Sequence, residues 1–260
     1  MQSKNTILTQ SDLTLLEDAL LQFGRIVTFE QLASLFTMTE TRATISRRIA
    51  LLVKKGWLLR LKKGLYLVLT DITTLGTNDL SEYILAQALH KDSYVSFENA
   101  LQYHGLFDQM LSTVSSVTTT YVRRHTVQQT TYVFSRVKHD LYFGFTEEVI
   151  SPYKVFIAEK EKALLDMLYL KTSAYTVSLI LEKLREYTHR FDSEKLQQYA
   201  RRYGIGMVRA VGFLLDQVHA DTMQLLTCAK KQRNSYSKLT QRSSQFNAKW
   251  RLYYEPRLID

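Results

Sequence analysis

The stretch from Thr39 to Leu69 constrains this chain more than any other. It reads TETRATISRRIALLVKKGWLLRLKKGLYLVL, and it gathers Arg42, Arg47, Arg48, Lys54, Lys55, Arg60, Lys62 and Lys63 with no Asp or Glu between the first and the last. A helix over 42–55 places Ile45, Ile49, Leu52 and Val53 on one stripe, because residues three, four and seven apart share a face. At about 100° per residue, Arg47 and Lys54 point away from that stripe, flanked by Thr44 and Arg48. The stripe docks on other helices, and the opposite face offers hydroxyls and guanidinium groups to an anion. The anion that fits a helix face of this kind is duplex DNA.

The residues after the helix extend the pattern. Gly56 suits the left-handed end of a helix, and Lys54 and Lys55 suit its negative C-terminal pole. The apolar runs 57–61 and 65–69, joined by Lys62-Lys63-Gly64, read as a hairpin with a basic tip. Upstream, Ser11 caps a first helix that Gly24 closes, and Thr28 caps a short second helix over 29–36. Thr39 or Thr41 caps the third. Helices followed by a basic hairpin in about seventy residues have the layout of a winged helix-turn-helix. The expected DNA-contacting set is Thr41, Arg42, Thr44, Ser46, Arg47, Arg48, Lys54, Lys55, Arg60, Lys62 and Lys63. A basic face is more often merely solvated, and the one-signed run continuing into the hairpin is what favours DNA.

The remainder is longer than a winged domain needs. The polar, turn-rich segment 71–79 is the expected linker, with a domain over 1–70 before it and another over 80–260 after it. A helix is expected over 80–90, then a short extended piece leading into a helix capped by Ser96. From 113 to 157, Thr, Val, Tyr and Phe alternate with polar residues, predicting strands over 117–122, 132–137, 141–145 and 153–157. The last third reads as a helical bundle over 158–170, 177–187, 193–203, 207–218 and 222–231, with a closing strand near Trp250–Tyr254. The expected fold class is therefore α+β: a winged helix-turn-helix, then a mixed domain with a small sheet and a C-terminal bundle.

A net charge of +9 over 260 residues favours a polyanionic partner and is also compatible with an anionic membrane surface. No apolar run reaches the roughly eighteen residues that a membrane helix needs. The first residues, MQSKNTILTQ, lack the apolar core of a signal peptide, and Cys228 stands alone, so the expected setting is cytoplasmic, without a disulfide framework.

Signatures of enzyme chemistry are missing from the pattern. The histidines at 90, 104, 125, 139, 189 and 219 have no metal-ligand spacing. Glu159, Glu161 and Asp166 interleave with Lys160 and Lys162 at the spacing of helix-stabilising pairs, which is the simpler reading than a catalytic carboxylate pair. Gly204-Ile205-Gly206 lacks the surroundings of a dinucleotide loop and reads as a break between helices. No metal, no cofactor and no catalytic residue is expected. Arg123 and Arg124 form a candidate second basic patch, against a solvated loop as the simpler alternative.

Three segments resemble the AbiEi antitoxin family of bacterial abortive-infection toxin–antitoxin systems: 56–66 (GWLLRLKKGLY), 94–106 (YVSFENALQYHGL), and PYKV at 152–155 followed by AEKEKALLD at 158–166. The resemblance implies a winged helix-turn-helix that binds inverted repeats in its own promoter and represses its operon. It also implies a C-terminal domain that counteracts a nucleotidyltransferase-like toxin without a stable complex. The alternative from another class is a protein-interaction or RNA-directed regulator whose C-terminal domain carries the function.

Overall fold

In the computed structural model the described residues are 8–37, 39–70, 80–150, 152–232 and 234–259. The expected linker at 71–79 lies outside them. The chain is α+β and divides into two compact units, Met1–Lys91 with His125–Thr131, and Asp92–Arg124 with Tyr132–Asp260. No helix among the described residues is long and apolar enough to cross a membrane.

The first unit opens with α1 (Gln10–Phe23), β1 (Ile26–Thr28), α2 (Phe29–Ser34) and α3 (Arg42–Lys54). Thr9, not Ser11, caps α1 by accepting from the Asp12 amide, which frees the Ser11 hydroxyl for another role. Thr28 caps α2 in a reciprocal capping box with Gln31, and Thr41 caps α3 by accepting from the Thr44 amide. The expected stripe on α3 is buried at Ile45, Ile49 and Leu52, where it meets Leu15, Leu16, Ala19, Val27 and Leu32.

The hairpin comes next as β2 (Leu58–Lys62) and β3 (Leu65–Val68), turned through Gly64, whose φ of +75° suits a residue without a Cβ. Sequence patterning missed β1, which pairs antiparallel with β3 and completes a sheet ordered β1-β3-β2. Between Arg60 and Lys62 the pairing with β3 slips by one residue, a bulge centred on the buried Leu61. Helix α4 (Glu82–Leu89) and strand β6 (His125–Val127) also belong to this unit.

The second unit carries β4 (Ser93–Val95), α5 (Phe97–Tyr103), β5 (Thr113–Thr118), β7 (Thr130–Arg136), β8 (Phe145–Ile150) and β9 (Tyr153–Ala158). Its strands run in the order β7-β5-β4-β9-β8, with β4 parallel to β9 and antiparallel to β5. The strand expected over 141–145 is instead a short 3-10 turn at His139–Leu141, and β8 begins at Phe145. Helices α6 (Lys160–Leu170), α7 (Ala174–Glu186), α8 (Ser193–Tyr203), α9 (Ile205–Asp216) and α10 (Met223–Lys230) follow the sheet in this unit. Gly204, at φ +97°, separates α8 from α9. A small sheet closes the chain, β10 (Ser237–Lys238) and β11 (Gln245–Asn247) flanking β12 (Leu252–Tyr254).

The helix-stabilising pair expected in α6 forms: Lys162 and Asp166 meet four residues apart, and both side chains are fully buried. Lys162 Nζ also donates to the Tyr94 hydroxyl at 2.7 Å and the Tyr203 hydroxyl at 2.8 Å. Asp166 accepts from Ser96 at 2.8 Å and from Tyr203 at 2.8 Å. Ser96 therefore holds the N-cap position of α5 without capping it, because its hydroxyl is turned to Asp166. Burial pushes the Lys162 amine below its usual range, and the Asp166 charge offsets that only in part.

Candidate nucleic-acid interface

The exposed side of α3 and the hairpin β2–β3 bound an open groove of about 880 Å³. Helix α3 supplies Arg42, Ala43, Ser46, Ala50 and Val53 to its wall, and the hairpin supplies Arg60, Lys63, Gly64 and Tyr66. Thr28, Phe29 and Glu30 close one end. Ala43, Ser46 and Ala50 are spaced by three and four residues, so they form a strip of small side chains along the helix. All three are exposed, as are Arg47 and Lys54 beside them on the helix surface. Cations stand on both walls, and Glu30 is the acid among the lining residues.

Arg42 is held loosely. Its guanidinium lies 4.7 Å from the Phe29 ring centre and 3.4 Å from the Glu30 carboxylate. That pair is 77% and 70% exposed, so water and salt screen it and it is worth about 0–1 kcal/mol. Thr41 and Thr44 are exposed, but their hydroxyls face each other at 3.0 Å and Thr41 is occupied as the cap. Arg60 and Lys63 are exposed on the hairpin.

Three of the expected contact residues turn elsewhere. Arg48 donates through Nε to Asp12 at 3.0 Å, bonds the Ser11 hydroxyl, approaches Glu40 at 3.9 Å and covers the Phe36 ring. Lys55 lies 3.5 Å from the same Asp12. Both cations thus fasten α3 to α1. Lys62 donates to the Leu89 carbonyl at 2.6 Å on the last residue of α4. The bulge at Leu61 explains this, since an extra residue breaks the alternation that would have set Lys62 on the same side as Arg60. Burial, reinforced by the nearby Lys91 charge, lowers the Lys62 pKa. Arg123 and Arg124 are exposed in an irregular segment after β5 and belong to the second unit, whereas the groove residues belong to the first.

Sequence reasoning missed Ala43, Ala50, Phe29 and Tyr66. Charge signals cannot find small or aromatic residues, although the helical wheel already put Ala43 and Ala50 on the polar side. Among the described residues no group of three or more His, Cys, Asp or Glu is placed to hold a metal ion.

No protein-family model and no curated protein matches this chain. Its fold is similar to that in the crystal structure of the RV2827C protein from Mycobacterium tuberculosis. The TM-score is 0.65 at 12% identity, over 98% of this chain and 94% of that one. At that identity the likeness concerns the fold alone.

Proposed function

We propose that the first unit is a winged helix-turn-helix that binds duplex DNA, with α3 as recognition helix and β2–β3 as wing. The groove between them carries this reading. Small side chains at Ala43, Ser46 and Ala50 let a helix seat deeply in a major groove about 12 Å wide. In that pose Ser46 and Arg47 reach base edges, while Arg42, Lys54, Arg60 and Lys63 reach phosphates. The wider reading is an antitoxin and transcriptional autorepressor that works by binding rather than catalysis and opposes a nucleotidyltransferase-like toxin.

That wider reading rests on the resemblance of segments 94–106 and 158–166 to the AbiEi family. It draws support from their meeting in one buried network, Tyr94 and Ser96 with Lys162 and Asp166. Footprinting on the DNA upstream of the coding sequence tests the first part, with protection of two inverted half-sites expected. Co-expression with a nucleotidyltransferase-like toxin from the neighbouring reading frame tests the second. Undiminished toxicity in the presence of folded chain would remove the antitoxin reading and leave the DNA reading standing.

A further inference from the structure

Arg209, in the second turn of α9, has a side chain that is 0% exposed, yet among the described residues its hydrogen bonds go to neutral acceptors. Its Nη1 donates to the Ser237 hydroxyl at 3.2 Å, and its Nη2 to the Gln232 carbonyl at 2.7 Å and the Ser235 hydroxyl at 3.2 Å. Its Nε is buried without an acceptor among the described residues. A guanidinium taken out of water costs several kcal/mol unless a counter-charge repays it. The charge that acts on it, that of Arg251, has the same sign. Arg251 donates through Nε to the Ser235 carbonyl at 2.9 Å, and burial together with the Arg251 charge lowers the Arg209 pKa.

The surroundings add donors. Gly204 stands at the N-cap of α9 with no side chain to cap the first turn, so that turn presents backbone N–H groups and the positive pole of a twelve-residue helix. A Cβ built on Gly206 would lie 3.8 Å from the Ser237 hydroxyl, which places that hydroxyl beside the same turn. Lys238 is next in the chain, lining with Gly206 and Tyr203 a cavity of about 230 Å³. Arg251 is held at φ +50°, a conformation that L side chains rarely adopt.

We infer that Arg209 and Arg251, with Ser235, Ser237 and the first turn of α9, form a binding site for a phosphoryl group, either free phosphate or the monoester of a nucleotide. A tetrahedral dianion can accept from the Arg251 guanidinium, from the two hydroxyls that the buried Arg209 orients and from backbone amides at once, which a planar carboxylate cannot. The site lies wholly in the second unit and does not rest on the DNA reading.

The test is thermal unfolding of the full chain in millimolar inorganic phosphate against chloride of equal ionic strength. A ligand that binds only the folded state raises the midpoint with its concentration. Saturable stabilisation by phosphate is expected. Arg251→Asn, which tolerates a positive φ and removes the charge, should weaken the apparent affinity about tenfold. Arg209→Met should abolish the response, and if it does not fold, Arg251→Asn decides. The double variant Arg60→Ala/Lys63→Ala should respond as the wild type does. Uridine 5′-monophosphate distinguishes the sources: equal affinity indicates free phosphate, and tighter binding indicates a monoester. No saturable response, a response undiminished in Arg251→Asn, or one lost in the double variant would overturn the assignment.

Discussion

The Lys162 ammonium and the Asp166 carboxylate form an ion pair with neither side chain exposed, sealed by the hydroxyls of Tyr94, Ser96 and Tyr203. Such a pair is far more costly to halve than to remove. Deleting one partner strands the other charge, whereas an apolar replacement of both is often neutral. Asp166→Asn and Lys162→Met should each destabilise the chain by about 3–5 kcal/mol, and Lys162→Met/Asp166→Leu by distinctly less. Urea unfolding of the three variants checks this; a double variant as unstable as the sum of the singles would refute it.

Arg48 holds α3 on α1, so its loss should affect stability rather than recognition. Arg48→Met should cost about 1.5–3 kcal/mol, the range for hydrogen bonds to a charged group, while the folded fraction binds DNA as the wild type does. Arg47→Ala should do the reverse. Unfolding and binding curves on the same preparations separate the two roles.

Asp12 gives this joint a pH signature. Burial raises its carboxyl pKa, but hydrogen bonds from Arg48 and Thr9 and the charges of Arg48 and Lys55 outweigh that and hold it below the ordinary 3.8. A carboxylate with a folded pKa below its unfolded one contributes stability that is fully present above the unfolded value and is lost as pH falls through the folded value. The stability gap between wild type and Asp12→Asn should therefore be constant at neutral pH and shrink below about pH 3.8. Denaturant midpoints measured across the acid range test the sign.

Gly212 approaches the buried Trp250 so closely that a Cβ there would lie 2.2 Å from the ring. The ring cannot easily retreat, because its Nε1 donates to Asp216 at 2.6 Å. Gly212→Ala should destabilise by about 1–3 kcal/mol despite the better helix propensity of alanine. An unchanged melting temperature would show that the ring has room to move.

These sites mark where sequence reading succeeds and where it stops. Helix α8 is legible from end to end: Asp192 caps it, Leu196 and Ala200 give it a buried side, and Gly204 stops it. The third helix and the hairpin are legible for the same local reasons. Strand β1 is not, because three residues carry no periodicity and its partner β3 lies some forty residues on. The helical wheel gives the directions of Arg48 and Lys55 but cannot show that Asp12 meets them from α1. The spacing of Lys162 and Asp166 identifies the pair but not its burial, because Tyr94 and Tyr203 arrive from distant parts of the chain. Lys62 is turned aside by a one-residue bulge that no alternation rule foresees.

The small-residue strip on α3 makes a prediction that stability cannot mimic. Ala50 is exposed in the groove, so Ala50→Glu should leave the melting temperature within about 2 °C. It should nevertheless weaken DNA binding at least tenfold, through bulk and a negative charge facing phosphates. Wild-type affinity in Ala50→Glu would show that α3 does not enter the groove.

The most direct measurement is a gel-shift titration on the chain's own upstream DNA and on a scrambled duplex, repeated at low and moderate salt, for wild type and Lys63→Ala. The account predicts a preference for the upstream DNA that persists at moderate salt, and a salt slope in Lys63→Ala shallower by about one. Equal, salt-labile binding to both duplexes, or no binding at all, would contradict it and turn attention to a protein partner of the second unit.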